Sequence, residues 1–356
     1  MSIILFLIVL AVLILVHELG HFLAAKRSGV RVEEFGIGFP PRLWGIKRGG
    51  TIYSLNWIPF GGFVKLLGED GTEGDLLPTD SLAAKSRLVQ AGVLVAGVMA
   101  NFLIAWALLS IALMIGLPAA AGTVPAGLSV TDPVLMITSV QPASPAAAAG
   151  LKPGDEILSV ATPDEFIALV RATGEEELPL TIKPTGSEVV KTVAVLPKIG
   201  LVEAGVPAIG VGVETIGLAK AGPLPAIWQG LRFSLKLVIL TVRGFYDLII
   251  QAVVGKSDLL NSLIGPVGLA GLVGDAQTIG LGYLFAFIAF ISINLAVLNL
   301  IPFPALDGGR LLILAIEGAI GRSLPAKFVG YLNLIGFVFL VGLMLVVTYG
   351  DLVRLF

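Results

Sequence analysis

Cysteine is missing from all 356 residues, and histidine occurs only twice. The first absence excludes a disulfide framework and leaves any metal site to histidine and carboxylate ligands. Charge is also scarce. Asp, Glu, Lys and Arg make up 13% of the chain, where a soluble protein carries about a quarter. With 56% apolar residues and a strongly positive mean hydropathy, that deficit points to a bilayer as solvent. The formal net charge of −2 offers no basic excess, which argues against a nucleic-acid partner.

What is present is long apolar runs. Spanning takes roughly 20 apolar residues, and residues 89–117, 279–303 and 329–349 satisfy this without one charged side chain. Residues 1–25 also qualify, apart from His17, Glu18 and His21. A secretory signal peptide fits that N-terminus poorly, since no basic residues precede the run and a glutamate lies within it. Nine basic residues between Lys26 and Arg87 make the 26–88 loop cytoplasmic. Both termini and most of the region from 118 to 281 are then extracytoplasmic, and the short loop with Arg310, Arg322 and Lys327 is cytoplasmic.

Residues 226–254 complicate the count. They are largely apolar, yet Arg232, Lys236, Arg243 and Asp247 fall within roughly 60° on a helical projection. That pattern predicts an amphipathic helix at the membrane surface or against other helices, and four spans in all. A fifth span is the alternative.

The two histidines sit four apart around a glutamate, in His17-Glu18-Leu19-Gly20-His21. On a helix, positions i and i+4 share a face, so both imidazoles can reach one metal ion. Glu18 then stands where it can take a proton from water at that metal. Burying such residues in a span costs several kcal/mol, roughly, unless something compensates, and a metal does so directly. Hydrogen-bonded core histidines with a packing glutamate are the bland alternative.

A catalytic zinc takes three protein ligands and keeps one position open. No histidine remains, so the third is a carboxylate, and Asp307 in the 299–309 stretch is the best candidate. It lies near the inner end of an inward-running span, at the same depth as His17 and His21. An Asp-Gly-Gly sequence is also good turn chemistry, which is the competing role for Asp307. Asn294 and Asn299 are polar residues of the same span. Either could be a helix-packing hydrogen bonder, and Asn299 is closer to the proposed metal.

These residues resemble the site-two protease family of intramembrane metalloproteases, in its bacterial RseP-like branch. The resemblance runs nearly end to end. It rests on His17-Glu18-Leu19-Gly20-His21, on residues 299–308, and on Phe35-Gly36-Ile37-Gly38-Phe39. Pro59-Phe60-Gly61-Gly62-Phe63-Val64-Lys65 and Ile264-Gly265-Pro266-Val267-Gly268 are similar as well. The resemblance implies that His17, His21 and Asp307 bind zinc (Zn2+), that Glu18 is the general base, and that Asn299, Gly36 and Gly38 contact substrate. It also implies a bacterial inner-membrane enzyme acting on single-span proteins. Candidate substrates are a clipped anti-sigma factor, a leftover signal peptide or another regulator. The 32–67 loop resembles the family's membrane-associated β-hairpin, thought to take an unwound substrate as an added strand. A re-entrant hairpin that packs the cavity shut is the plainer reading.

Residues 127–198 change composition toward a small soluble domain. The 144–157 stretch resembles a PDZ domain of the bacterial protease type, with a second helix over 163–171 and the last strands over 178–195. Such a domain binds peptides by strand addition, or serves only as a plug or spacer. In the 199–278 region that follows, the 199–225 stretch before the amphipathic helix is too short for a second copy.

The fold expected is therefore a polytopic α-helical membrane protein with a β-hairpin region and one extracytoplasmic PDZ domain. A metal transporter would want more ionisable residues along its spans. A catalytically inactive zinc-binding scaffold is the other alternative, and it has no use for Glu18.

Overall fold

The computed structural model describes residues 2–69, 78–120, 128–201, 205–254 and 265–355. In chain order its first elements are α1 (Ser2–Arg27), β1 (Val32–Arg48), β2 (Thr51–Leu66), α2 (Arg87–Ile115), β3 (Leu117–Ala120) and β4 (Ser129–Val140). Next come α3 (Pro145–Ala148), β5 (Glu156–Ile157), α4 (Pro163–Thr173), β6 (Leu178–Lys183) and β7 (Lys191–Val195). Then follow β8 (Lys198–Ile199), β9 (Pro207–Ala208), β10 (Val211–Lys220), α5 (Pro223–Val254) and α6 (Pro266–Ile279). The chain ends with α7 (Leu281–Leu300), α8 (Asp307–Ile320) and α9 (Ala326–Leu355).

Two compact units form. One comprises Met1–Leu109, Leu231–Gly274 and Phe287–Phe356, and the other Ser110–Gly230 with Asp275–Ala286. Among the described residues, four helices are long and apolar enough to cross a membrane: Ser2–Arg27, Arg87–Ile115, Leu281–Leu300 and Ala326–Val353. The chain is thus a membrane protein with a β region. Helix α5 is not one of the four. Its Arg232, Lys236, Arg243 and Asp247 are exposed, while Ser234 and Thr241 on the opposite face are buried. The expected short loop after the third span contains the 14-residue helix α8.

In the first unit, the β1–β2 hairpin is more than a two-stranded ribbon. The turn is Gly49-Gly50, whose φ of 58° and 80° suit a two-residue hairpin loop. Both strands then bend back, so that Phe35 pairs with Tyr53 on one side and with Val64 on the other. Tyr53 in turn pairs with Ile46. Four strand segments result, ordered 42–48, 51–56, 34–37 and 62–66, with 62–66 at one edge. Its base is anchored by Val32 and Leu66, buried with Ala25 at the end of α1 and Val93 on α2.

The second unit is built on a six-stranded sheet of order β3-β10-β4-β5-β6-β7. Leu135, Ile137, Ile157, Phe166, Leu180, Ile182 and Val195 form its core. Full burial of each such side chain contributes about 1.5–3 kcal/mol. The 144–157 stretch folds as short helix, turn and strand. Ser144 caps α3 by accepting from the Ala147 amide, and buried Asp155 accepts from the amides of Lys152 and Thr185. The sheet extends beyond the 127–198 range read from composition. The interior strand β10 (Val211–Lys220) lies after the range and β3 before it, while β8 and β9 form a separate two-stranded sheet. Residue 127 itself, like Ile264 of the glycine-proline motif, lies outside the described residues.

Within the first unit, Gly265 and Pro266 open helix α6 beneath a carboxylate from far along the chain. Asp351, on α9 and 5% exposed, accepts from the amides of Gly265 (3.1 Å) and Gly268 (2.9 Å). A Cβ at residue 265 would stand 2.6 Å from an Asp351 oxygen, so only glycine fits. The carboxylate caps orphan N–H groups at the positive end of the helix dipole. Asp351→Ala is expected to cost about 1–2 kcal/mol, as loss of a helix cap does. A lower thermal unfolding midpoint in detergent checks this, with a smaller drop for Asp351→Asn.

Candidate metal centre

His17 and His21 occupy adjacent turns of one α1 face, and both are buried. Their rings meet edge to face with centroids 4.7 Å apart and planes at 82°. The Nε2 atoms lie 3.1 Å from one another. Each also faces the same Asp307 oxygen, His17 at 2.9 Å and His21 at 3.3 Å. Three ligand atoms separated by 290 residues of sequence therefore converge on one point.

The tautomer of His21 follows from its other nitrogen. Nδ1 lies 2.8 Å from the Val93 carbonyl, which can only accept, so Nδ1 carries the hydrogen and Nε2 keeps its lone pair. Such a lone pair facing a carboxylate and a second imidazole suits a cation. Ligands at about 2.1 Å in tetrahedral directions stand about 3.4 Å apart, close to the separations found here. Two nitrogens and one oxygen are a donor set of catalytic zinc sites. These residues fit a zinc ion.

Asp307 is delivered by the turn between α7 and α8. Ala305 adopts a φ of 72°, unusual for a residue with a side chain, and gives its amide to Asn333 of α9. A Cβ on Gly308 would come within 2.3 Å of the Leu300 and Ile301 carbonyls, and one on Gly309 within 2.2 Å of Phe303. The Gly-Gly pair thus lets α8 start hard against the end of α7. One turn on, Arg310 pairs with Glu69, which follows β2. Burial alone would raise the Asp307 carboxyl, but the close approach of His17 and His21 outweighs this and holds it below the usual carboxylate range.

Glu18 points elsewhere. Its Oε2 accepts from the Val64 amide at 2.9 Å, so it meets the outer edge of segment 62–66. The other residues expected at the site are placed as follows. Asn299, near the end of α7, is partly exposed and makes no side-chain hydrogen bond among the described residues. Asn294 donates to the Phe290 carbonyl of its own helix. Gly36 and Gly38 lie in the bent hairpin, not among the three converging ligands. A Cβ at Gly36 would strike the Phe63 ring at 2.4 Å, and Gly38 has a φ of 78° with the Ile58 carbonyl against it. Packing within the hairpin already demands both glycines.

Helix α2 adds residues that sequence reading overlooked. A Cβ at Gly97 would lie 2.3 Å from His21 Nε2 and 2.8 Å from the His17 ring. Gly20, between the histidines, passes equally close to the Ala96 carbonyl. Four residues after Gly97, Asn101 is buried beside His17. The available signal was an asparagine four residues after a glycine inside an apolar run, which costs too much in a bilayer to be idle.

A model of peptidase family M50 matches residues 5–343. A Clostridium perfringens protein, named provisionally as a zinc metalloprotease, is 36% identical over 99% of both chains. The zinc metalloprotease RasP of Geobacillus kaustophilus is 31% identical, covering all of this chain and 98% of its own. A Nostoc protein, provisionally named a zinc metalloprotease, is 35% identical over 96% of this chain and 93% of its own.

Metal analysis of purified protein is expected to find about one zinc per chain. His21→Ala and Asp307→Asn each remove a donor and should lower that content sharply, while Glu18→Gln retains it. Full zinc in Asp307→Asn would remove Asp307 from the ligand set.

Proposed function

The chain belongs to peptidase family M50, the site-2 proteases, and from that premise we propose that it is a zinc-dependent intramembrane endopeptidase of the RseP-like branch. Its substrates would be single-span proteins of the bacterial cytoplasmic membrane. The observation that carries this reading is the meeting of His17, His21 and Asp307 within 3.3 Å, with Glu18 turned to a strand edge.

Those three residues would hold a zinc ion, and the chemistry it would supply is Lewis acidity toward a water molecule and the scissile carbonyl. Glu18 takes the water's proton and returns it to the leaving amine. The Val64 amide holds the Glu18 carboxylate in place meanwhile. A helical substrate hides its carbonyls in its own hydrogen bonds, so it has to unwind before it can be cut. Segment 62–66 offers an edge on which the unwound stretch pairs as an added strand, beside Glu18. Asn299 assists by holding the scissile backbone, and Gly36 and Gly38 by keeping the sheet behind that edge flat and close. Exposed Trp44, Trp57, Ile37 and Leu43 suit a sheet that sits in lipid.

The six-stranded unit acts as an extracytoplasmic PDZ domain. Its groove runs between α4 and the first half of β10, because β3 already pairs with Ile216–Ala219 on β10. Both termini are extracytoplasmic and the active site lies near the cytoplasmic side.

Co-expression of a tagged single-span substrate tests the proposal. Wild type is expected to cut it, and Glu18→Gln to lose at least about 100-fold in rate. Equal processing by an equally abundant, zinc-loaded Glu18→Gln protein rules out the mechanism. Val64→Pro removes the outward amide without touching the pairing with Phe35. It should keep zinc and lose turnover by roughly tenfold or more, as measured with the same substrate.

A further inference from the structure

His17 and His21 are held differently at the ring nitrogen that faces away from Asp307. For His21 the partner is the Val93 carbonyl, which fixes one tautomer. For His17 it is the side-chain amide of Asn101, whose nitrogen stands 3.5 Å from Nδ1. That distance is at the outer limit of a hydrogen bond, a few tenths of an ångström from an ordinary one. Asn101 is 1% exposed, and its Oδ1 is buried with no hydrogen-bond partner among the described residues. The backbone at Asn101 is pinned independently, since Ser292 Oγ of α7 donates to its carbonyl at 2.8 Å.

An amide differs from a carbonyl in presenting a donor or an acceptor after a half-turn about χ2. With the nitrogen toward His17, Nδ1 accepts and the hydrogen sits on Nε2, where it is given to Asp307 at 2.9 Å. With the oxygen toward His17, Nδ1 donates and Nε2 is left with its lone pair. Only the second arrangement allows His17 to ligate a metal through the atom that faces Asp307. Either orientation leaves one end of the amide without a partner among the described residues, so the demand of His17 decides between them.

We propose that Asn101 is a positioning residue of the metal centre, its side-chain oxygen holding the hydrogen of His17 on Nδ1 and so keeping Nε2 free for zinc. This rests on the zinc reading above and adds a residue outside the ligand set. Groups that orient metal-bound histidines in this way typically contribute about 10–100-fold in metal affinity. Gly97, one turn earlier on the same face of α2, supplies the space into which both rings fit.

The chain's two histidines make a direct test practical, because 15N-histidine labelling yields only two imidazoles. The full-length protein is studied zinc-loaded in detergent micelles, as wild type, Asn101→Leu and Asn101→Asp. In the wild type both rings are expected to carry hydrogen on Nδ1. In Asn101→Leu the His17 Nδ1 proton should move upfield while that of His21 stays put. Zinc affinity, measured by competition with a chelator, should fall about 10–100-fold. Asn101→Asp keeps an acceptor, so its His17 proton should move downfield with affinity no weaker than wild type. The proposal is overturned if the His17 proton and zinc affinity are the same in Asn101→Leu and wild type. Should the leucine variant fail to fold, an unmoved His17 proton in Asn101→Asp overturns it equally. A wild type that binds no zinc overturns the metal reading as well, an outcome distinct from a zinc-loaded protein indifferent to residue 101.

Discussion

Three electron-pair donors meet in the interior of an apolar unit, and much of the surrounding structure is explained by what that meeting requires. Two imidazoles and a carboxylate are costly to bury, so a cation has to compensate and the backbones that carry them have to approach closely. Gly20 and Gly97 let α1 and α2 come together where the rings lie, and Gly308 and Gly309 let α8 begin directly against α7. Each position has backbone or ring atoms where a Cβ would go. Around the ligands, Val93, Asn333 and the Arg310–Glu69 pair hold the donor atoms or the turn that delivers them. The chain belongs to peptidase family M50, and relatives of it are named zinc metalloproteases.

Glu18, the proposed general base, sits apart from this cluster because of the pitch of the helix. Glu18 follows His17 by one residue and therefore projects about 100° around α1, toward the hairpin rather than toward Asp307. There it finds an unpaired strand amide at Val64. The edge is available because the hairpin doubles back on itself. Segment 34–37 is satisfied on both sides, while 62–66 uses only one. Exposed edges usually invite unwanted pairing, and the proposed function gives this one, beside Glu18, a use in pairing with an extended peptide.

Features set by length or short spacing were legible in the sequence. Apolar runs marked the four helices able to cross a membrane, and the i, i+4 histidines marked a common helical face. The need for a carboxylate at matching depth led to Asp307. Helix α4 could be read from Thr162 and Pro163 at its start, where cap chemistry is local. Features set by distant partners were not legible. Nothing in residues 32–66 says that Phe35 pairs with both Tyr53 and Val64. Val211–Lys220 falls beyond the range read from composition as the soluble domain, yet it is an interior strand because β3 and β4 flank it. Helix α8 was hidden by its turn-like Asp-Gly-Gly start. Gly97 and Asn101 look like ordinary span residues until α2 is laid against α1. The roles of Gly36 and Gly38 were read from resemblance, and the packing of Phe63 and Ile58 against them accounts for glycine there without reference to a ligand.

The 290-residue separation between His17 and Asp307 has a bearing on biosynthesis. At about 5–20 residues per second, a ribosome takes roughly 15–60 s to travel between the two codons. Throughout that interval the nascent chain has Glu18 and both histidines but lacks the carboxylate of Asp307. A chain released early, anywhere before residue 307, is left in the same condition. Dividing the three converging donors between the first and later parts of the polypeptide thus makes synthesis through residue 307 a precondition for assembling the centre.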